Sequence, residues 1–117
     1  MEYVILFYES KESMSERTHP EKAEAYWGGW MSYSKAVDEA GIGRGGAGLQ
    51  TPDTATVLSL KHGKKHVQDG PYADTKEQLG GFSIIDVPDL DAAIEWASKS
   101  PAFAKGRIEI RPALQAP

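Results

Sequence analysis

Glu2-Tyr3-Val4-Ile5-Leu6-Phe7-Tyr8 is the stretch on which the fold turns. Its aromatic and β-branched residues read as a strand. Successive side chains in a strand point to opposite faces, so Tyr3, Ile5 and Phe7 go one way and Val4, Leu6 and Tyr8 the other. Neither set is polar. A strand that is apolar on both faces belongs in the middle of a sheet and needs a cover on each side. What covers the second face is the question the rest of the chain has to answer.

Residues 9–19 are polar and read as loop. Thr18-His19-Pro20-Glu21 has the form of a capping box with proline in the first turn, and predicts a helix over 20–40. Its buried stripe would be Ala23, Tyr26, Trp27, Trp30, Ser34, Val37 and Gly41. Gly28 and Gly29 lie off that stripe, cost about 1 kcal/mol each relative to alanine, and leave room for a kink. Gly41 to Gly48 holds five glycines in eight residues. It follows a helix and lacks the lysine and hydroxyl of a phosphate loop, so it reads as a helix cap leading into a short irregular strand.

Residues 54–60 predict the next strand, 61–66 a hairpin turn and 66–69 its return. A loop carrying Asp69-Gly70-Pro71-Tyr72 leads to a strand over 80–87. Asp89 caps a second helix with Leu90, Ala93, Ile94 and Ala97 as its buried stripe, and Pro101 ends it. In the last strand, Arg107 to Arg111, Ile108 and Ile110 should face the helices, with Arg107, Glu109 and Arg111 opposite. The order β-α-β-β-α-β, with one extra hairpin, is the ferredoxin-like split βαβ arrangement of the α+β class with an antiparallel sheet. Helices then cover one sheet face only. The apolar second face of the first strand calls for a homodimer packed sheet against sheet, as a dimeric α/β barrel around a polar-lined cavity.

The chain has 117 residues, which bounds it to one domain over 1–117. Thirteen basic and seventeen acidic residues give a net charge of -4, which argues against nucleic acid as a partner. There are no cysteines, so disulfides, thiol catalysis and cysteine-zinc sites are excluded. No basic-then-apolar leader opens the sequence and no stretch approaches the 18 or so apolar residues of a membrane span. A cytoplasmic protein with no membrane partner is the expectation.

Asp69-Gly-Pro-Tyr-Ala-Asp-Thr-Lys-Glu-Gln-Leu-Gly-Gly-Phe-Ser-Ile-Ile-Asp-Val87 resembles the signature of the DGPF group of YCII-related proteins. Asp-Leu-Asp-Ala-Ala-Ile-Glu-Trp-Ala over 89–97, Pro101, and Ile-Glu-Ile-Arg-Pro over 108–112 extend the resemblance over nearly the whole chain. Tyr72 stands where that group usually has phenylalanine, Asp74 where it has glutamate, and Phe82-Ser83 where an aromatic pair is common. The resemblance implies a dimeric α+β barrel of ferredoxin-like subunits. It also implies an association with sigma factors, many such proteins being encoded beside or fused to them. In the founding branch a His-Asp pair serves catalysis, its histidine in an Arg-x-x-His pattern. Arg17-Thr18-His19 is one residue shorter, and His19 is the matching position.

Asp69 and Tyr72, a carboxylate and a phenol beside a turn fixed by Gly70 and Pro71, are candidates for acid-base work, with His19 assisting. The competing role for Asp69 is capping its own turn. Arg111 and Arg107 suit an anionic ligand through their planar forks of donors, unless they pair with Glu109 or a carboxylate of another subunit. Tyr8 and Lys76 complete the candidate binding set. His62, His66 and His19 would suit zinc only if brought together, and two lysines between the first pair speak against it. No metal and no cofactor are therefore expected. Two functions follow: a regulatory or small-molecule-binding module linked to a sigma factor, or a cofactor-independent enzyme of lyase, isomerase or dehydrohalogenase type using Asp69. No nucleophile or cofactor loop is visible, which favours the first.

Overall fold

The alternation of residues 2–8 runs along the whole of β1 (Glu2–Ser10): Tyr3, Ile5 and Phe7 are buried, while Val4, Leu6 and Tyr8 are half-buried. The computed structural model describes residues 1–116. After β1 come α1 (Lys11–Ser15), a short 3-10 turn, α2 (Ala23–Glu39) and β2 (Gly43–Gly48). The chain continues through β3 (Thr56–Lys61), β4 (Lys64–Asp69), β5 (Glu77–Asp86), α3 (Leu90–Ser98), α4 (Ala102–Lys105) and β6 (Gly106–Pro112).

Four strands form one antiparallel sheet in the order β2-β5-β1-β6, with β1 inside it as its two apolar faces require. This is the expected split βαβ arrangement. The helix-facing side holds the core: Tyr3, Ile5, Phe7 and Ile85 pack with Tyr33 and Val37 of α2 and with Ala93 and Ala97 of α3. Phe7, Trp30 and Tyr33 meet edge to face, with ring centres 5.0 and 6.1 Å from Phe7. On the other side Val4 pairs with Ile84 and Arg111, Leu6 with Phe82 and Glu109, and Tyr8 with Leu79 and Arg107. Ile108 and Ile110 join the core cluster, so the last strand faces as expected. The molecule is a plate, 49 × 48 × 19 Å.

Several local expectations are corrected. Residues 9–19 are not loop: β1 runs to Ser10, whose hydroxyl accepts the Ser13 N–H and caps α1. The capping box does not form, and α2 starts three residues later than expected. The His19 ring Nδ1 accepts the Glu21 N–H instead, and the His19 carbonyl accepts the N–H groups of Lys22 and Ala23. Helix α2 passes through Gly28 and Gly29 as one element, and its buried residues are Tyr26, Tyr33 and Val37; Trp27 and Ser34 are exposed. In α3 the alanines Ala93 and Ala97 are buried, while Leu90 and Ile94 face outward. Small residues let the helix approach the sheet, and bulky ones are displaced from the contact. Asp89 does cap α3, accepting the Ala92 N–H at 2.9 Å.

The hairpin is tighter than expected. His62 and Gly63, with φ of 51° and 74°, form a two-residue turn, and β4 resumes at Lys64. Strands β3 and β4 pair with each other alone, as an arm separate from the main sheet. Among the described residues no helix is long and apolar enough to cross a membrane.

Candidate functional site

Glu9 continues the buried phase of Tyr3, Ile5 and Phe7, which carries a carboxylate into the core, where it is 2% exposed. A charge there must be paired and hydrogen-bonded to persist. Its Oε2 accepts from Arg17 Nη2 at 2.6 Å, and its Oε1 from the hydroxyls of Tyr26 at 2.6 Å and Ser13 at 3.2 Å. A register shift between Phe7 and Tyr8 brings Gly80 beside this carboxylate; a Cβ on Gly80 would overlap Glu9 Oε2.

Arg17 binds more than its acid partner. Its Nε donates to the Tyr26 oxygen at 2.8 Å and its Nη1 to the Leu49 carbonyl at 2.6 Å. The 3-10 turn, β1, α2 and the segment after β2 are thus tied by one guanidinium. Burial alone would lower the Arg17 pKa; the bonds to Tyr26 and Glu9 outweigh it and raise it. Burial, reinforced by donation to Glu9, pushes the Tyr26 hydroxyl up to about 12. Burial pushes Tyr33 up to about 12 as well.

Beside this clamp, a cleft of about 540 Å³ opens between α2 and the edge of the sheet. Trp27, Trp30 and Tyr33 line one side of it, and Gly46, Gly48 and Gly81 bring bare backbone to the other, beside Phe7 and Ser83. Gly46 has φ of +146°, and a Cβ there would overlap the Phe82 carbonyl oxygen; Gly48 has open space above it. The acids lining it are Glu9, whose oxygens are both engaged, and Asp38 on the exposed part of α2. A second cleft, of about 430 Å³, lies across Glu9 and Tyr26 and is spanned by the Lys105–Glu16 ion pair at 2.8 Å. That bond holds the Glu16 carboxyl below its ordinary pKa.

None of the seven residues singled out from sequence lines either cleft. Asp69 ends β4, exposed, opposite Thr56; the turn after it closes through the Gly70 N–H donating to Ala55 at 2.8 Å. Tyr72 is 92% exposed and Lys76 is exposed. Thr75 and Gln78 of the same motif bond the loop's own carbonyls. His19 serves the entry to α2. Tyr8, Arg107 and Arg111 do share a face, the helix-free one, with Tyr8 opposite Arg107. Arg111 pairs with Glu109, as the competing reading had it, and Arg107 pairs with Glu77 of its own chain at 3.1 Å. Among the described residues no group of three His, Asp or Glu side chains is disposed to hold a metal.

The sequence marks Tyr26 as buried and Glu9 as an acid in phase with three core side chains, but not that the two meet through Arg17. Their meeting carries no such mark, because the short turn between β1 and α2 is what folds them together.

A YCII-related domain model matches residues 1–116. An uncharacterised protein of Rhizobium meliloti (strain 1021) is 36% identical over 116 residues, which cover 96% of this chain and 91% of that protein. Among solved structures, the chain resembles 5-chloro-2-hydroxyhydroquinone dehydrochlorinase from Burkholderia phenoliruptrix AC1100, in complex with 2,5-dihydroxybenzoquinone. The likeness has a TM-score of 0.56 at 14% identity, over 99% of this chain and 96% of that one, and is one of fold. The chain belongs to the YCII-related family.

Proposed function

We propose that this YCII-related chain is a cytoplasmic small-molecule-binding module of the DGPF type that takes a planar aromatic ligand in the cleft between α2 and β2. The observation that carries the reading is the run of glycines along the cleft: Gly46, Gly48 and Gly81 line it without side chains, and Phe7 with the aromatic residues of α2 closes the rest. Glu9, Arg17 and Tyr26 have their polar atoms engaged with one another, which suits a rigid wall better than a proton shuttle. The module works as a homodimer through the helix-free sheet face, and its macromolecular partner is a sigma factor, as the DGPF resemblance implies.

The test is a thermal-shift and tryptophan-quenching screen of hydroxylated aromatics, beginning with 2,5-dihydroxybenzoquinone. A ligand at a hundred times its Kd should add about 2.7 kcal/mol of stability. Gly48→Leu, which has room for its side chain, should keep the fold and lose the shift. A ligand that still binds Gly48→Leu, or a panel without any binder, sinks the reading. Failure of a purified extracytoplasmic-function sigma factor of the same organism to co-elute would remove that partner.

The likeness of fold to a dehydrochlorinase supports a second reading, a cofactor-independent proton-transfer enzyme. In it Asp69 is the acid or base, Tyr72 and His19 assist, and Arg111, Arg107, Tyr8 and Lys76 hold an anionic substrate between the two sheets. Turnover of a halogenated hydroquinone, lost in Asp69→Asn with the melting temperature unchanged, would favour it.

A further inference from the structure

A two-stranded hairpin is marginal alone in water. Yet the β3–β4 arm pairs with no other strand and makes no extended packing on any other element among the described residues. Register puts Leu58 opposite Val67 and Leu60 opposite Lys65, so one face of the arm carries three apolar side chains and a lysine. All three apolar residues are exposed, Leu60 at 76%. Lys61 and Lys64 face each other at the tip. The radius of gyration, 16.0 Å, exceeds the roughly 13 Å of a compact domain of this length, as a projecting arm requires.

A surface matching this arm exists on the same chain but out of the arm's contact. On α3, Leu90 and Ile94 lie one turn apart, both exposed, with Asp91 and Glu95 beside them. Among the described residues no ion pair engages those two acids or Lys61, Lys64 and Lys65. The arm holds three lysines against one aspartate, Asp69, so the rest of a chain of net charge -4 is more acidic than the whole. A cationic apolar arm and an acidic apolar helix face on each copy are complementary between copies.

We propose that the arm clasps a second copy of this chain, laying Leu58, Leu60 and Val67 on the Leu90–Ile94 face of α3 and pairing Lys65, which shares their face, with Asp91 and Glu95. A nucleic acid would match the lysines but not the leucines beside them. The contact adds to the sheet-to-sheet dimer and is separable from it.

Sedimentation velocity over a concentration series tests this. The combined Leu58→Thr, Leu60→Thr and Val67→Thr variant keeps strand-forming residues in the hairpin. It should raise the dimer dissociation constant about a hundredfold, or about 2.7 kcal/mol. Lys65→Glu should weaken the dimer too, and adding Asp91→Lys with Glu95→Lys should restore it. Rescue supports the clasp. A wild-type dimer whose dissociation constant the threonine variant leaves unchanged overturns it while the sheet dimer stands. Charge reversal without rescue overturns the α3 contact. A monomeric wild type that retains a DNA duplex through Lys64 and Lys65 overturns both.

Discussion

At Glu9 a carboxylate survives in the core because three donors reach it, and its fate depends on Arg17. Arg17→Met leaves a buried acid unpaired and should cost about 3–5 kcal/mol in urea denaturation. Adding Glu9→Leu should recover part of that loss, since an apolar pair leaves no charge behind. Gly80→Ala should destabilise alone, because its Cβ would overlap the same carboxylate, and far less once Glu9 is shortened. The tyrosines set the alkaline limit. Their folded pKa values near 12 exceed the ordinary value of about 10, so the folded state favours the protonated phenols. That contribution is complete below about pH 10 and is lost as pH rises through about 12. Following tyrosinate absorbance against circular dichroism should show unfolding in that window, and Tyr33→Phe should move it to higher pH.

Elements differ in how much of them could be read in advance. Strands β1 and β6 were legible because their apolar alternation states both position and facing. The phase of α2 was legible in part: Tyr26 and Val37 of the expected stripe are buried, but Trp27 and Ser34 fit a helical stripe as well as Tyr33 does, and only the place of the sheet selects Tyr33 over them. In α3 the expected stripe holds both pairs, and close approach to the sheet buries Ala93 and Ala97 while leaving Leu90 and Ile94 outside. The cleft was legible only as a glycine-rich segment, since its emptiness comes from juxtaposition with α2. Two glycines of opposite sign make the point measurable. Gly28→Ala, in the middle of α2 with open space around it, should stabilise by about 1 kcal/mol. Gly46→Ala, at φ of +146° against the Phe82 carbonyl, should destabilise; chemical denaturation checks both.

For the whole molecule, the helix-free sheet face is the surface of the proposed dimer. Val4, Leu6, Phe82 and Ile84 sit together there, and Leu6→Glu should turn a proposed dimer into a folded monomer, as light scattering would show. The plate of 49 × 48 × 19 Å has a further consequence, in solution scattering. Two plates stacked face to face, a sheet spacing of about 10 Å apart, stand about 48 Å tall. Such a pair is nearly a cube, and its scattering profile would be that of an almost isotropic particle. Two plates joined at their edges would double one long axis and scatter as a flat ribbon. Association through the faces therefore rounds the particle as its mass doubles, so that shape alone, with no residue changed, tells which surface the copies share.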